Sequence, residues 1–197
     1  MGERRRVAWS EARWLNPPEA VAEDGEGLRV TARRGSDFWR TTSYGFVRDD
    51  GHALLTGFPA GTSVEVGFVV AFEKLYDQAG LLVRVDERTW IKAGVEMSDG
   101  LPQLGAVVTR DSSDWSLAPV PEWAGRRVTI RASRVGDAVT LRARCESEPW
   151  RMIRLAPLPP DAQAAAGPFC CAPERSGLTV RFDEFTLGPA DRSLHEM

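Results

Sequence analysis

Histidine, cysteine and lysine are scarce in this chain. Its 197 residues include two histidines, His52 and His195, and three cysteines, Cys145, Cys170 and Cys171. There is no Cys-x-x-Cys pair and no clustered Cys/His spacing, so the sequence offers no structural zinc site and no other transition-metal site. Loop carboxylates such as Asp49 and Asp50 suit calcium by chemistry, but no motif supports calcium there. No cofactor is expected. A Ser-His or Cys-His nucleophile would depend on His52 alone, because His195 sits in the polar tail Ser193-Leu-His-Glu-Met197. No apolar run approaches the ~18–20 residues that span a bilayer, so no membrane partner is expected. The basic start, Met1 to Ser10, has no apolar stretch behind it and does not read as a secretory signal. Free thiols without such a signal point to a cytoplasmic protein. Charge of one sign is lacking too: 25 basic residues face 28 acidic ones, for a net charge of −3. Nucleic acid as a partner is therefore disfavoured, since displacing phosphate counterions needs a basic face.

What is present is a large apolar fraction, 43%, cut into short pieces. The 18 glycines and 13 prolines leave no interval longer than Glu3 to Asn16 free of both. Pro breaks helices and each interior Gly costs about 1 kcal/mol, so long helices are excluded. Short β-branched and aromatic segments between turn signals predict an all-β sandwich of roughly a dozen strands. The expected organisation is one β-sandwich domain over 1–197, with a core at about 28–187, an N-terminal arm 1–27 and a tail 188–197.

Strands are expected at Val64–Phe72, Ala79–Val85, Thr89–Met97 and Leu101–Arg110, with Asp99-Gly100 as a tight hairpin turn. Further strands are expected at Arg127–Arg131, Ala138–Arg144 and Trp150–Leu155, and a last one starts at Leu178. Pro160 to Ala166 is the one helical candidate of the second half. Alternation divides the Thr89 strand into an apolar face, Ile91, Ala93, Val95 and Met97, and a second face, Trp90, Lys92, Gly94 and Glu96.

That second face has two readings. One is a solvated outer sheet surface with cross-strand ion pairs worth a few tenths of a kcal/mol each. The other is a ligand face, in which Trp90 stacks on a ring while Lys92 and Glu96 donate to and accept from its edge. Lys92 is one of only two lysines in the chain, so it is not the default cation. A bulge at Gly94 would break the register between Lys92 and Glu96. Arg84 on the preceding strand adds a fork-shaped donor. Of the seven tryptophans, Trp39, Trp90 and Trp115 lie in polar surroundings and are the aromatic site candidates. Cys170 and Cys171, if on a strand, point to opposite faces, one into a core and one outward.

The blocks Asp37-Phe-Trp-Arg-Thr-Thr-Ser-Tyr-Gly-Phe46, Asp77-Gln-Ala-Gly-Leu-Leu-Val-Arg84 and Trp90-Ile-Lys-Ala-Gly-Val-Glu96 together resemble the DUF1349 family. Ser113-Asp-Trp-Ser116, the Gly-x-x-Val-x-Ile-Arg stretch ending at Arg131, and Trp150-Arg151 fit as well. The resemblance runs from about Leu28 to Leu187. It implies a concanavalin A-like jelly roll of two antiparallel sheets, of the lectin/glucanase type. It implies no general activity; one yeast member is linked in name to regulation of enolase. In such jelly rolls a curved sheet commonly holds a sugar on its concave face. The resemblance thus makes the Trp90/Lys92/Glu96 face the lining, with Asp77 and Gln78 at the strand entrance. The E-x-D-x-x-E strand pattern of the glucanase relatives is missing: the nearest text, Val85-Asp-Glu-Arg-Thr-Trp90, is a turn.

Three functions fit these residues. The first is binding of a carbohydrate or similar polyhydroxylated small molecule, through Trp90, Arg84, Gln78, Trp39, Tyr44 and Trp115. The second is an enzyme on the same cleft, with Glu96 or Asp77 as acid/base and Lys92 or Arg84 stabilising an anion. The third is a domain that docks a protein partner. Converging charged groups in a cleft favour the first two, and a flat exposed apolar patch favours the third.

Overall fold

A computed structural model describes residues 3–25 and 27–195. Its strands begin with β1 (Arg5–Arg6), β2 (Arg13–Leu15), β3 (Ala20–Asp24) and β4 (Gly27–Thr31). Next come β5 (Phe38–Arg40), β6 (Val47–Asp49), β7 (His52–Gly57) and β8 (Thr62–Val69). The middle of the chain forms β9 (Gln78–Arg84), β10 (Thr89–Ser98), β11 (Leu101–Arg110) and β12 (Ser112–Pro119). The last five are β13 (Arg127–Val135), β14 (Ala138–Cys145), β15 (Arg151–Pro157), β16 (Ala165–Cys171) and β17 (Thr179–Pro189).

The strands form two large antiparallel sheets, the β-sandwich that the sequence pattern predicts and the jelly roll that the family resemblance implies. The first has the order β15-β14-β13-β8-β17-β4-β3, with β1 also on β17. The second has the order β12-β11-β10-β9-β16-β7-β2. The inner faces pack one core, in which Ile91, Ala93 and Val95 of β10 meet Val64, Val66 and Phe68 of β8 and Ile130 of β13. Ile91, Ala93 and Val95 are residues that alternation assigns inward. At the β10–β11 hairpin Asp99 and Gly100 both have positive φ, 53° and 77°, as the Asp-Gly signal requires.

Three expectations change. The helical candidate at Pro160–Ala166 is a turn leading into β16. Among the described residues the only helical segments are single 3-10 turns at Trp9–Glu11 and Pro121–Trp123. The segment 1–27, set apart as an arm, supplies β1 and β3 to the first sheet and β2 to the second. Cys170 and Cys171 do point to opposite faces of β16, yet both are buried. Cys170 joins the main core, and Cys171 lies in a second apolar cluster on the other face of the sheet.

That second cluster explains the site. The small β5–β6 hairpin covers part of the outer face of the second sheet. Phe38 and Trp39 of β5 pack there on Leu82, Trp90, Val107, Phe169 and Cys171. Phe38 lies 5.9 Å from Trp90 and 6.4 Å from Phe169, ring centre to ring centre. The sheet is thus buried on both faces along part of its length, and the uncovered part forms the floor of a cleft.

Candidate functional site

The cleft encloses about 310 Å³ between the outer face of the second sheet and the β5–β6 hairpin. Its floor belongs to β9 and β10. Glu96 stands opposite Gln78 of β9 and Gln103 of β11, and Lys92 opposite Leu82 and Val107. No register shift interrupts β10, so Lys92 and Glu96 share one face across Gly94. Gly80, Gly94 and Gly105 form a row across the three strands. A Cβ on Gly94 would lie 2.1 Å from the Ala79 carbonyl oxygen, so the close approach of β9 and β10 requires glycine there. The row places no side chain between Lys92 and Glu96. Lys92 reaches along the floor, and its Nζ donates to Gln78 Oε1 at 2.7 Å and to Asp37 Oδ1 at 3.1 Å.

Lys92 is only 5% exposed. Burial pulls its pKa down, but the carboxylate of Asp37 and its hydrogen bond hold it above the ordinary lysine value. Glu96 is in the opposite position. It is 9% exposed, and its buried Oε1 has no hydrogen-bond partner. Burial pushes its carboxyl up to about 7; Asp37 adds to the rise and Lys92 opposes it. The floor thus carries a satisfied ammonium and an unsatisfied carboxyl group.

The walls are aromatic. Trp115 of β12 stands opposite Val107 and meets Trp39 edge to face at 5.9 Å. Tyr44 meets Trp39 at 5.5 Å and stacks on Phe46 at 5.5 Å. The 41–46 loop is shaped by positive φ at Thr41 and Ser43, and the Trp39 Nε1–H donates to the Thr42 carbonyl at 3.0 Å. Tyr76, also at positive φ, comes from the loop before β9 and hydrogen-bonds Tyr44, which pushes its phenol up to about 12. These left-handed non-glycine residues flank the cleft, where backbone strain commonly accompanies function.

Gln78, Lys92, Glu96, Trp39, Tyr44 and Trp115, named from the sequence, all line this cleft. Three others do not. Trp90 is 1% exposed and packs in the apolar cluster under Phe38, so it offers no face to a ligand. Arg84 is held by Asp49 in two parallel bonds of 2.5 and 2.8 Å, which makes it a tie between β9 and β6. Asp77 is fully buried and binds Arg175 at 2.7 Å and the backbone N–H groups of Glu73 and Lys74 at 3.0 Å. Desolvation alone would raise its pKa, but these partners bring it below the ordinary aspartate value. Asp77 is therefore a fastening of the 73–78 turn. The solvated-surface reading of the β10 face fails as well, because Lys92 and Glu96 are buried.

His52 is also structural. Its Nε2 accepts the Arg33 N–H at 3.0 Å and its Nδ1 lies 2.8 Å from the Asn16 carbonyl, which assigns the proton to Nδ1. Burial lowers its pKa. Cys170 is buried, with its thiol pushed up to about 12, and desolvation likewise raises the Cys171 thiol well above the ordinary cysteine value. Neither thiol suits a nucleophile. Among the described residues no group of three His, Cys, Asp or Glu side chains is placed to hold a metal ion.

Of the charged and aromatic lining, the sequence candidates omit Asp37, Phe46, Arg48, Tyr76 and Glu174. Asp37 opens the Asp-Phe-Trp block but precedes β5, where strand alternation gives no direction. Tyr76 adjoins Asp77-Gln78 in the turn ahead of β9, at positive φ, where strand alternation gives no direction.

Residues 14–190 match the family described as "Protein of unknown function (DUF1349)". The chain is 36% identical to "Regulation of enolase protein 1" of Saccharomyces cerevisiae over 100% of both chains. A crystal structure of a functionally unknown protein from Saccharomyces cerevisiae superposes with a TM-score of 0.88 at 36% identity, over 94% of this chain and 100% of that one. A xylan beta-1,4-xylosidase from Bacillus halodurans gives a TM-score of 0.63 at 15% identity, over 82% of this chain and 32% of that one. This last likeness is one of fold.

Proposed function

The chain belongs to the DUF1349 family, and from its cleft we propose that it binds a small polyhydroxylated molecule, carbohydrate-like in having apolar ring faces and polar edges. The observation that carries this reading is Glu96 Oε1, a buried acceptor without a partner beneath aromatic walls. An unpaired buried polar group costs about 1–3 kcal/mol, which a ligand hydroxyl donating to it would recover. Trp39, Tyr44 and Trp115 supply flat apolar surface for a ring, and the Lys92–Gln78–Asp37 set supplies polar edge contacts. The volume of about 310 Å³ is at the small end of ligand sites, which run from about 300 to 1,000 Å³. A ligand of one or two rings fits this size better than a polymer.

Titration of 15N-labelled protein with neutral mono- and disaccharides tests the reading. The indole N–H signals of Trp39 and Trp115 are expected to shift, and Trp115→Ala is expected to weaken binding about tenfold. Saturating sugar that leaves both indoles unmoved would refute it.

A carboxyl group that titrates near 7 also suits proton transfer, so turnover in the same cleft is the second reading, with Glu96 as the acid. Asp77 has no part in it. Incubating the bound sugar with the protein separates the two: an altered sugar assigns an enzyme, and an unchanged one assigns a binding module.

A further inference from the structure

We propose that the ligand of this cleft carries an amine, held as its ammonium against Glu96 and beside the aromatic wall. This rests on the reading of the cleft as a small-molecule site and narrows its ligand class. The inference comes from charge pairing. Lys92, the cation of the floor, is matched by Asp37 at 3.1 Å. Arg48, the cation of the rim, lies 3.8 Å from Asp50 and over the Phe46 ring. With these pairs set aside, the lining still contains Glu96 and Glu174, and neither is in an ion pair among the described residues. The lining thus carries three carboxyl groups, Asp37, Glu96 and Glu174, against two cations, Lys92 and Arg48.

A ligand carboxylate or phosphate would meet Glu96 and Glu174, while the buried cation Lys92 is already held by Asp37 and only the half-exposed Arg48 stands at the rim. A neutral hydroxyl would satisfy Glu96 Oε1 without using the excess charge. An ammonium does both: it donates N–H bonds to the unpartnered oxygen, and its charge is drawn to the carboxylates and to the faces of Trp39 and Trp115. The rest of the ligand, a ring with hydroxyls, would contact Gln78 and the aromatic wall. An amino sugar has this chemistry.

Proton balance follows from the free state of Glu96. Lys92 on its own strand, Asp37 ahead of β5, Tyr44 and Arg48 of the β5–β6 hairpin, Tyr76 ahead of β9 and Glu174 are the ionisable groups of the lining around it, and the facing residues of β9 and β11 are the neutral Gln78 and Gln103. The Lys92–Asp37 pair is already internally neutral. An arriving ammonium therefore favours the Glu96 carboxylate, and the carboxyl proton leaves to solvent; no covalent bond changes on the ligand.

Calorimetry at pH 7 with glucosamine, glucose, N-acetylglucosamine and cyclohexylamine, in two buffers of different ionisation enthalpy, tests this. Glucosamine is expected to bind about tenfold or more tightly than glucose, with release of protons, and N-acetylglucosamine no better than glucose. Glu96→Gln should bring glucosamine down to the affinity of glucose, while Glu96→Asp, which keeps the charge, retains the preference. Equal binding of glucose and glucosamine, or a preference that survives Glu96→Gln, overturns the amine and leaves the sugar reading standing. Binding of cyclohexylamine alone keeps the amine and overturns the sugar. Binding of none of the four overturns both.

Discussion

Asp77 and Glu96 are neighbours, joined through the Met97 N–H, which donates to the Asp77 carbonyl at 2.9 Å. Both carboxyl groups are buried, one at 0% and the other at 9% exposure. Around Asp77 an arginine and two backbone N–H groups converge, and its pKa falls despite the burial. Around Glu96 no donor reaches Oε1, and its pKa rises to about 7. The same residue chemistry at the same end of two paired strands thus serves two ends. A buried carboxylate whose oxygens are all spoken for holds a turn in place. One left open on a cleft floor is available to a ligand, at a cost to the fold.

Removing Asp77 is expected to have the largest effect. Asp77→Ala strands the Arg175 guanidinium and two backbone donors, and about 3–5 kcal/mol of stability should go, measured by urea unfolding at pH 7. A loss below about 1 kcal/mol would erase the contrast between the two carboxyl groups.

Glu96→Gln should act in the opposite direction. The folded pKa of Glu96 lies above its unfolded value, so the folded state holds the extra proton between about pH 4.5 and 7 and stability falls as pH rises through that window. Glutamine imitates the protonated form at all pH. The variant should therefore match the parent near pH 4 and exceed its stability by up to about 3 kcal/mol at pH 8. Asp77, with its lowered pKa, has the reverse sign: its contribution is present above the unfolded aspartate pKa and is lost as pH falls through the lower folded value. Unfolding curves at pH 4, 6 and 8 separate the two slopes.

Much of this arrangement was legible in the sequence. The alternation of β10 identifies its core face, and it places Lys92 and Glu96 together on the other. Asp99-Gly100 locates the hairpin that sets their register. Alternation, however, says nothing of what covers a face. Trp90 and Lys92 are equivalent by pattern, and the β5–β6 hairpin, a non-local contact, buries the one under Phe38 and leaves the other at the cleft. Cys171 is covered for the same reason. Asp77 reads as a site residue from its place beside Gln78, but it lies ahead of β9, where alternation gives no direction, and its carboxylate is taken by Arg175. The partner of Lys92 was hidden because Asp37 lies 55 positions away, ahead of a three-residue strand.

The most direct test is a 13C NMR titration of the Glu96 side-chain carboxyl in the ligand-free protein. A carboxyl group that is buried, unpartnered and open to a ligand is predicted to titrate at about 7. A value at or below 4.5, the ordinary value for glutamate, would mean that Glu96 is solvated or paired like Asp77, and would contradict the assignment of this cleft as the site.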